Sequence, residues 1–271
     1  PVANLVAMKS TGDLPPLFLI HGGDGGSLMF RHLGNHLDDS RPIYVLEAPV
    51  LSGGSEVAET IEETATLYLG QIKSIQPHGP YLLGGYCYGG VVAYEMAQQL
   101  RALGEEPALV ALFDTDNPAV APRYLSLTER AATNWKASSG LSWARRVGKL
   151  GERIGGGLVN RVKTEAEKTA ATVAAGAGLA IKGNLQTVLV RESHERAMSE
   201  YRPRPYHGDI VLFTAEDQGD KCLYPTHLGW EGYVRGRLEI IEIPGQHLTV
   251  FEEPQVAELS AKLQTVLQSH A

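Results

Sequence analysis

Gly84-Gly85-Tyr86-Cys87-Tyr88-Gly89-Gly90 decides how this chain folds. Before it run Tyr81, Leu82 and Leu83, short and apolar as a buried strand should be. After it, Val91, Tyr94, Ala97 and Gln98, with Val92, Met96 and Leu100, recur at the spacing of a partly buried helix. A strand driven straight into a helix leaves no room for an ordinary loop, so the corner residue takes a strained backbone conformation. Small residues two positions away on each side, Gly85 and Gly89, let the chain fold back. Cys87 therefore stands where the nucleophile of a G-x-S-x-G elbow stands. The plainer reading is a buried thiol in a glycine-rich turn. The strand and helix on either side favour the nucleophile.

Outward from the elbow, strands and helices alternate. Residues 2–8 suit an edge strand, and Leu17-Phe18-Leu19-Ile20, 43–46, 109–113, 210–214 and 238–243 suit strands of a sheet. Helices are expected from Ser27 (Leu28, Phe30, Leu33, Leu37), over 57–75 (Ile61, Ala65, Leu67, Tyr68, Ile72), and over 254–267 (Val256, Leu259, Leu263, Val266). Residues 49–55 read as a loop, and Gly104 as the C-cap of the elbow helix. The alternation predicts an α/β fold with a mostly parallel sheet covered by helices on both faces. From 117 to 205 there is no convincing strand, only helical stretches broken by Gly140, Gly151, Gly155-Gly156-Gly157 and Gly183. Lying between two strands of the sheet, this block reads as a helical lid inserted into a single domain spanning 1–271.

A nucleophilic cysteine needs a base, and the base needs an orienting acid. In the α/β-hydrolase arrangement these follow in the order nucleophile, acid, His, each at the carboxyl end of a strand. Asp114 directly follows strand 109–113, and His247 follows strand 238–243 across Pro244-Gly245-Gln246. Asp116, two residues further on, is the weaker candidate for the acid. Taken singly, Asp114 reads as a cap and His247 as a loop histidine; the elbow makes them partners. His21, His32, His36, His78, His194, His207, His227 and His270 lack that placement. His21 suits a structural hydrogen-bonding role at a strand end. Acyl transfer also needs donors for an oxyanion. The Tyr88 backbone N–H at the start of the elbow helix is one, and Gly23, after strand 17–20, is the expected second, with Gly22 and Asp24 as alternatives. His21-Gly22-Gly23-Asp24-Gly25-Gly26 could instead hold a phosphate, but no Gly-Lys-Ser/Thr follows.

Composition narrows the class. The 271 residues are 43% hydrophobic, enough for one large α/β domain. A net charge of −7 without a basic run argues against nucleic acid. No apolar run approaches the roughly 20 residues that span a bilayer; 170–181 comes nearest and is short and alanine-rich. Two cysteines, Cys87 and Cys222, make no disulfide framework. With no signal peptide, this suggests a reducing, cytoplasmic setting. No His/Cys/Asp grouping has metal-ligand spacing, so no metal is expected. A first residue of Pro1 suggests a piece of something longer.

The motifs together resemble a thioesterase domain of the nonribosomal peptide and polyketide synthase type. Leu17-Phe18-Leu19-Ile20-His21-Gly22-Gly23 is similar to that family's first-strand motif. Gly85-Tyr86-Cys87-Tyr88-Gly89-Gly90 is similar to its Gly-Tyr-Ser-x-Gly-Gly elbow, and Pro244-Gly245-Gln246-His247 to its terminal Gly-x-His. Asp114 falls where the family's acid falls, and 117–205 matches its helical lid. The resemblance implies a chain-releasing enzyme with a Cys87–His247–Asp114 triad and no cofactor of its own. Its partner would be an acyl or peptidyl carrier protein domain presenting the substrate on phosphopantetheine, and the isolated domain is expected to be monomeric. Tyr86, Tyr88, Trp135 and Trp143 are candidates for lining the acyl site, or ordinary packing.

The departure from the family is Cys87 in place of serine. A serine turns the carrier thioester into a more inert oxoester, whereas a cysteine keeps the acyl group a thioester. Such an intermediate retains the reactivity for a weak nucleophile or a strained ring closure, for instance a β-lactam or β-lactone, as well as for hydrolysis. Three rivals stand beside this reading: a free-standing editing thioesterase, a cysteine-dependent lactone hydrolase, and a non-catalytic binding module on the same scaffold.

Overall fold

The computed structural model describes residues 4–53, 58–120, 184–218 and 226–270. Seven strands among them build one sheet: β1 (Leu5–Lys9), β2 (Leu17–Ile20), β3 (Ile43–Leu46), β4 (Tyr81–Tyr86), β5 (Pro107–Phe113), β6 (Ile210–Asp217) and β7 (Leu238–Gln246). Their order across the sheet is β1-β3-β2-β4-β5-β6-β7. β1 pairs antiparallel to β3 at one edge, as expected of an N-terminal edge strand, and every other pairing is parallel. The described α-helices are α1 (Leu33–His36), α2 (Ile61–Ile75), α3 (Tyr88–Ala102), α4 (Asn184–Glu200) and α5 (Gln255–Ser269).

Strand period 2 sends successive apolar residues to opposite faces. Phe18, Ile20, Leu83 and Leu112 pack in one core with residues of α2 and α3, while Leu17, Leu19, Leu82 and Phe113 pack with α1 and α5. Both faces are thus covered, which is why the central strands are apolar throughout. Each fully buried Leu, Ile or Phe contributes roughly 1.5–3 kcal/mol. The result is an α/β-hydrolase fold.

Three local expectations differ from the structure. The segment after Ser27 does not form one helix: a 3-10 turn, Leu28–Phe30, is followed by the single turn α1. Neither Ser27 nor His32 supplies a side-chain cap, and Gly34 sits in the middle, where it admits Met8 against its backbone. The helix expected over 57–75 begins at Ile61, because Thr60 and Glu63 close a reciprocal capping box there. Pro244-Gly245-Gln246, read as a turn, continues β7 to Gln246, opposite Asp217. A proline is tolerated because it falls where the register with β6 breaks, between the Ala215–Ile243 and Asp217–Gln246 pairs of an edge strand.

The order of strands reverses between β2 and β4: β3 lies on one side of that pair and β5 to β7 on the other. In open α/β sheets the crevice beyond the carboxyl ends at such a point is where ligands bind.

Candidate active site

Cys87 sits between β4 and α3 with φ 53° and ψ −111°, a conformation L-residues seldom adopt. Its N–H donates to the Phe113 carbonyl at 3.1 Å, fixing the corner to β5. The two glycines do what the motif required. A Cβ on Gly85 would run into the Gly89 carbonyl, and one on Gly89 into the His21 carbonyl at the end of β2. The elbow therefore folds tightly on itself and against β2, leaving the Cys87 side chain partly exposed at the crevice.

The structure brings Cys87, His247 and Asp114 together. Asp114 Oδ2 lies 2.6 Å from His247 Nδ1, so it is Asp114 whose carboxylate meets the histidine. Its other oxygen, Oδ1, accepts from the Ala215 N–H at 2.9 Å and from Gln218 Nε2 at 2.6 Å. Burial opposes ionisation of Asp114, but the bonds from His247, Ala215 and Gln218 outweigh it and hold the carboxyl below its usual range. Burial likewise opposes charge on His247. The hydrogen bonds to Asp114 and to Cys87 win, and its pKa is pushed up to about 10. The arrangement favours an imidazolium facing a thiolate. Tyr86 holds the imidazole from a third side: its ring stacks on His247 at 4.9 Å and its hydroxyl donates to the His247 carbonyl. From sequence, Tyr86 is a candidate wall of the acyl site or ordinary packing, and its contact with His247 is not foreseen.

Beyond β2, the chain runs through Gly22 and Gly23 beside the elbow. His21 is fully buried, Nδ1 2.6 Å from the Gly22 carbonyl and Nε2 2.7 Å from the Tyr68 hydroxyl. Desolvation lowers its pKa to about 4 although the Gly22 bond resists. It is neutral and structural, as its place at a strand end suggested. Tyr88 is buried through its side chain, with its hydroxyl 3.2 Å from Thr64 Oγ1, while its backbone opens α3.

A cavity of about 410 Å³ lies over this end of the sheet. Arg191, His194, Glu195 and Met198 of α4 line it opposite Cys87 and His247. Of the expected 117–205 insertion, residues 117–120 and 184–205 are described, and α4 among them lines the site. Trp135 and Trp143, candidates for the acyl site or for ordinary packing, lie outside the described residues, as do Cys222 and residues 121–183 of the expected insertion. In sequence, His194 is one of the histidines without the placement of a triad base. Residues 191, 194, 195 and 198 fall on one helical face, but that face is largely polar and gives no sign of what it covers. Gln218 carried no signal either. Among the described residues, no group of three or more His, Cys, Asp or Glu is placed to hold a metal ion, and no helix is long and apolar enough to cross a membrane.

Comparison with known proteins gives the family and the fold. The malpinin synthetase of Mortierella alpina is 32% identical over 98% of this chain, which spans about 3% of that protein's length. Among solved structures, a four-domain nonribosomal peptide synthetase bound to AMP and glycine superimposes with a TM-score of 0.73 at 22% identity, over 97% of this chain and 20% of its own. The NocB thioesterase domain, solved as a covalent complex with a fluorophosphonate nocardicin G analogue, gives 0.68 at 24% identity, covering 97% of this chain and 99% of its own. The family model described as "Thioesterase domain" matches residues 15–264. This chain belongs to the thioesterase domain family.

Proposed function

We propose that this domain takes an acyl or peptidyl chain from a carrier-protein phosphopantetheine onto Cys87 and releases it by intramolecular cyclisation or by hydrolysis. The observation that carries the reading is Cys87 at the strained elbow, bonded to a His247 that Asp114 holds charged. The Cys87 thiolate attacks the thioester carbonyl, and the developing oxyanion is met by the Tyr88 and Gly23 N–H groups. The C–S bond to phosphopantetheine breaks, and its sulfur takes the proton of His247. The acyl group is now a thioester of Cys87 and His247 is neutral. An incoming hydroxyl, amine or water then gives its proton to His247 as it attacks, and collapse expels the Cys87 thiolate, which restores the ion pair.

α4 walls the cavity that Cys87 and His247 also line, and it encloses the acyl chain. Restricting water there favours an acceptor carried by the substrate itself. That the synthetase relative is so much longer than the chain supports a domain working beside a carrier domain within a synthetase, rather than a free-standing editing enzyme.

A pantetheine thioester whose acyl chain carries an internal amine tests the reading, with products identified by mass. Ring-closed product or free acid, formed by the wild type and not by Cys87→Ala, supports it. Turnover unchanged in Cys87→Ala excludes Cys87 from the chemistry.

A further inference from the structure

Two imidazoles lie face to face above the chain beyond β2. His21 and His194 stack at 5.1 Å with their planes 20° apart, and His194 also stacks on the Tyr88 ring at 3.9 Å and 18°. His194 Nδ1 lies 3.0 Å from the Gly23 carbonyl. A carbonyl only accepts, so Nδ1 carries the proton and donates. By the same logic His21 Nδ1 donates to the Gly22 carbonyl. Consecutive carbonyls, Gly22 and Gly23, are thus held by consecutive rings of one stack.

The consequence is conformational. The Gly22 carbonyl belongs to the peptide plane that carries the Gly23 N–H, and the Gly23 carbonyl to the plane that follows. Fixing both planes fixes φ and ψ of Gly23. That residue has the widest backbone freedom of any, and an added Cβ there would meet nothing within 4 Å. The Gly22–Gly23 plane is held twice, because the Gly25 N–H also donates to the Gly22 carbonyl at 3.1 Å, whereas the plane that follows is held through the His194 bond to the Gly23 carbonyl. The second donor, the Tyr88 N–H, opens a helix whose first side chain is sandwiched against the same His194 ring.

We propose that His194 is a positioning residue that joins α4 to the oxyanion site, holding the Gly23 carbonyl while His21 holds the Gly22 carbonyl. The proposal rests on the acyl-transfer reading of Cys87. It assigns to the inserted helix a part in the chemistry beyond enclosing the acyl chain: the oxyanion donors are aligned when α4 is seated. His194 is not a second base, because desolvation and the neighbouring His21 depress its pKa to about 3.

The test compares two reactions of the same thiol. Acylation of Cys87 by octanoyl-pantetheine passes through an oxyanion; alkylation by iodoacetamide does not. His194→Phe keeps a stacking ring and loses the donor, whereas His194→Asn replaces Nδ1–H with an amide N–H at a similar reach. The proposal expects His194→Phe to lower the acylation rate about tenfold to a hundredfold, below the full loss of an oxyanion donor. Alkylation should stay within about twofold, and His194→Asn should recover much of the acylation. An acylation-to-alkylation ratio equal to the wild type's in His194→Phe overturns the proposal. So does a ratio that falls without any recovery in His194→Asn. His194→Ala serves in the same assay should the larger ring not be accommodated. A wild type that alkylates but never acylates would instead sink the acyl-transfer reading itself.

Discussion

Cys87 and Asp114 sit side by side, each one residue beyond the last pair of neighbouring strands, Tyr86 and Phe113, and both hold a positive φ, 53° and 42°. Two side-chain-bearing residues in that region on adjacent strand ends mark stored strain of about 1–3 kcal/mol each. The strain has a use. It turns Cys87 out of the strand toward His247 and turns Asp114 under the imidazole, where its carboxylate lies 2.6 Å from Nδ1.

Asp114→Asn tests that bond. The amide can present either an acceptor or a donor to Nδ1, but no charge, so both the tautomer and the imidazolium lose their support. Turnover of a pantetheine thioester should fall by about 10³–10⁴, the scale for a misplaced tautomer in such triads, with the unfolding midpoint little changed. A loss below about tenfold would mean that Asp114 does not orient His247 during turnover.

The charge on His247 gives a pH signature. Its pKa of about 10 means that the imidazolium is in place throughout the neutral range and is lost only as pH rises through that value. A facing imidazolium favours the thiolate, so iodoacetamide should label Cys87 rapidly well below the ordinary thiol range near ~8.5. His247→Gln should move the labelling profile up toward that range. Superimposable profiles for the two proteins would contradict the ion pair.

Acid should destabilise the stacked histidines. His21 and His194 titrate at about 4 and about 3 in the fold, against an ordinary value of 6.5. Between those limits the unfolded chain binds more protons, so the stability these groups contribute is fully present above 6.5 and lost as pH falls toward 4 and then 3. His194→Phe removes one such group. Its urea midpoint should therefore decline less steeply than the wild type's across that window, and parallel declines would refute the assignment.

Two glycines separate close approach from mere flexibility. A Cβ on Gly89 would overlap backbone carbonyls of Ile20 and His21, which cannot move without shifting β2. Gly89→Ala should cost at least about 3 kcal/mol, the upper end of overpacking penalties. Gly70, in α2, has open space around an added Cβ. Gly70→Ala should stabilise by about 0.5–1 kcal/mol through helix propensity. Equal effects in chemical denaturation would show that the elbow is not tightly closed.

The parts legible in the sequence were those written in local pattern. The elbow needs small residues two positions from Cys87, and strands buried on both faces need continuous apolar runs such as Leu17-Phe18-Leu19-Ile20; both can be read along the chain. The same holds for placing Asp114 and His247, since each follows a strand directly. The start of α2 is also written there, in the capping-box pair Thr60 and Glu63, which decides it over the apolar stripe that runs from further upstream. What was not legible depends on contacts between distant segments. His194 and Gly23 are far apart in the chain, and the polar helix that carries His194 gives no sign of which surface it will cover. Likewise the Tyr86 hydroxyl reaches His247 only because the chain after β7 returns past β6 and β5 to the carboxyl end of β4.

The central claim is that the acyl chain passes through a thioester on Cys87, and intact-protein mass spectrometry during turnover tests it most directly. Wild-type protein quenched in acid while consuming octanoyl-pantetheine should carry one octanoyl adduct, released by neutral hydroxylamine and mapped to the peptide containing Cys87. Cys87→Ser should carry the same adduct as a longer-lived ester that resists hydroxylamine, because a serine ester is the poorer acyl donor. Turnover with no adduct on Cys87 at any quench time, or an adduct mapped elsewhere, would contradict the account.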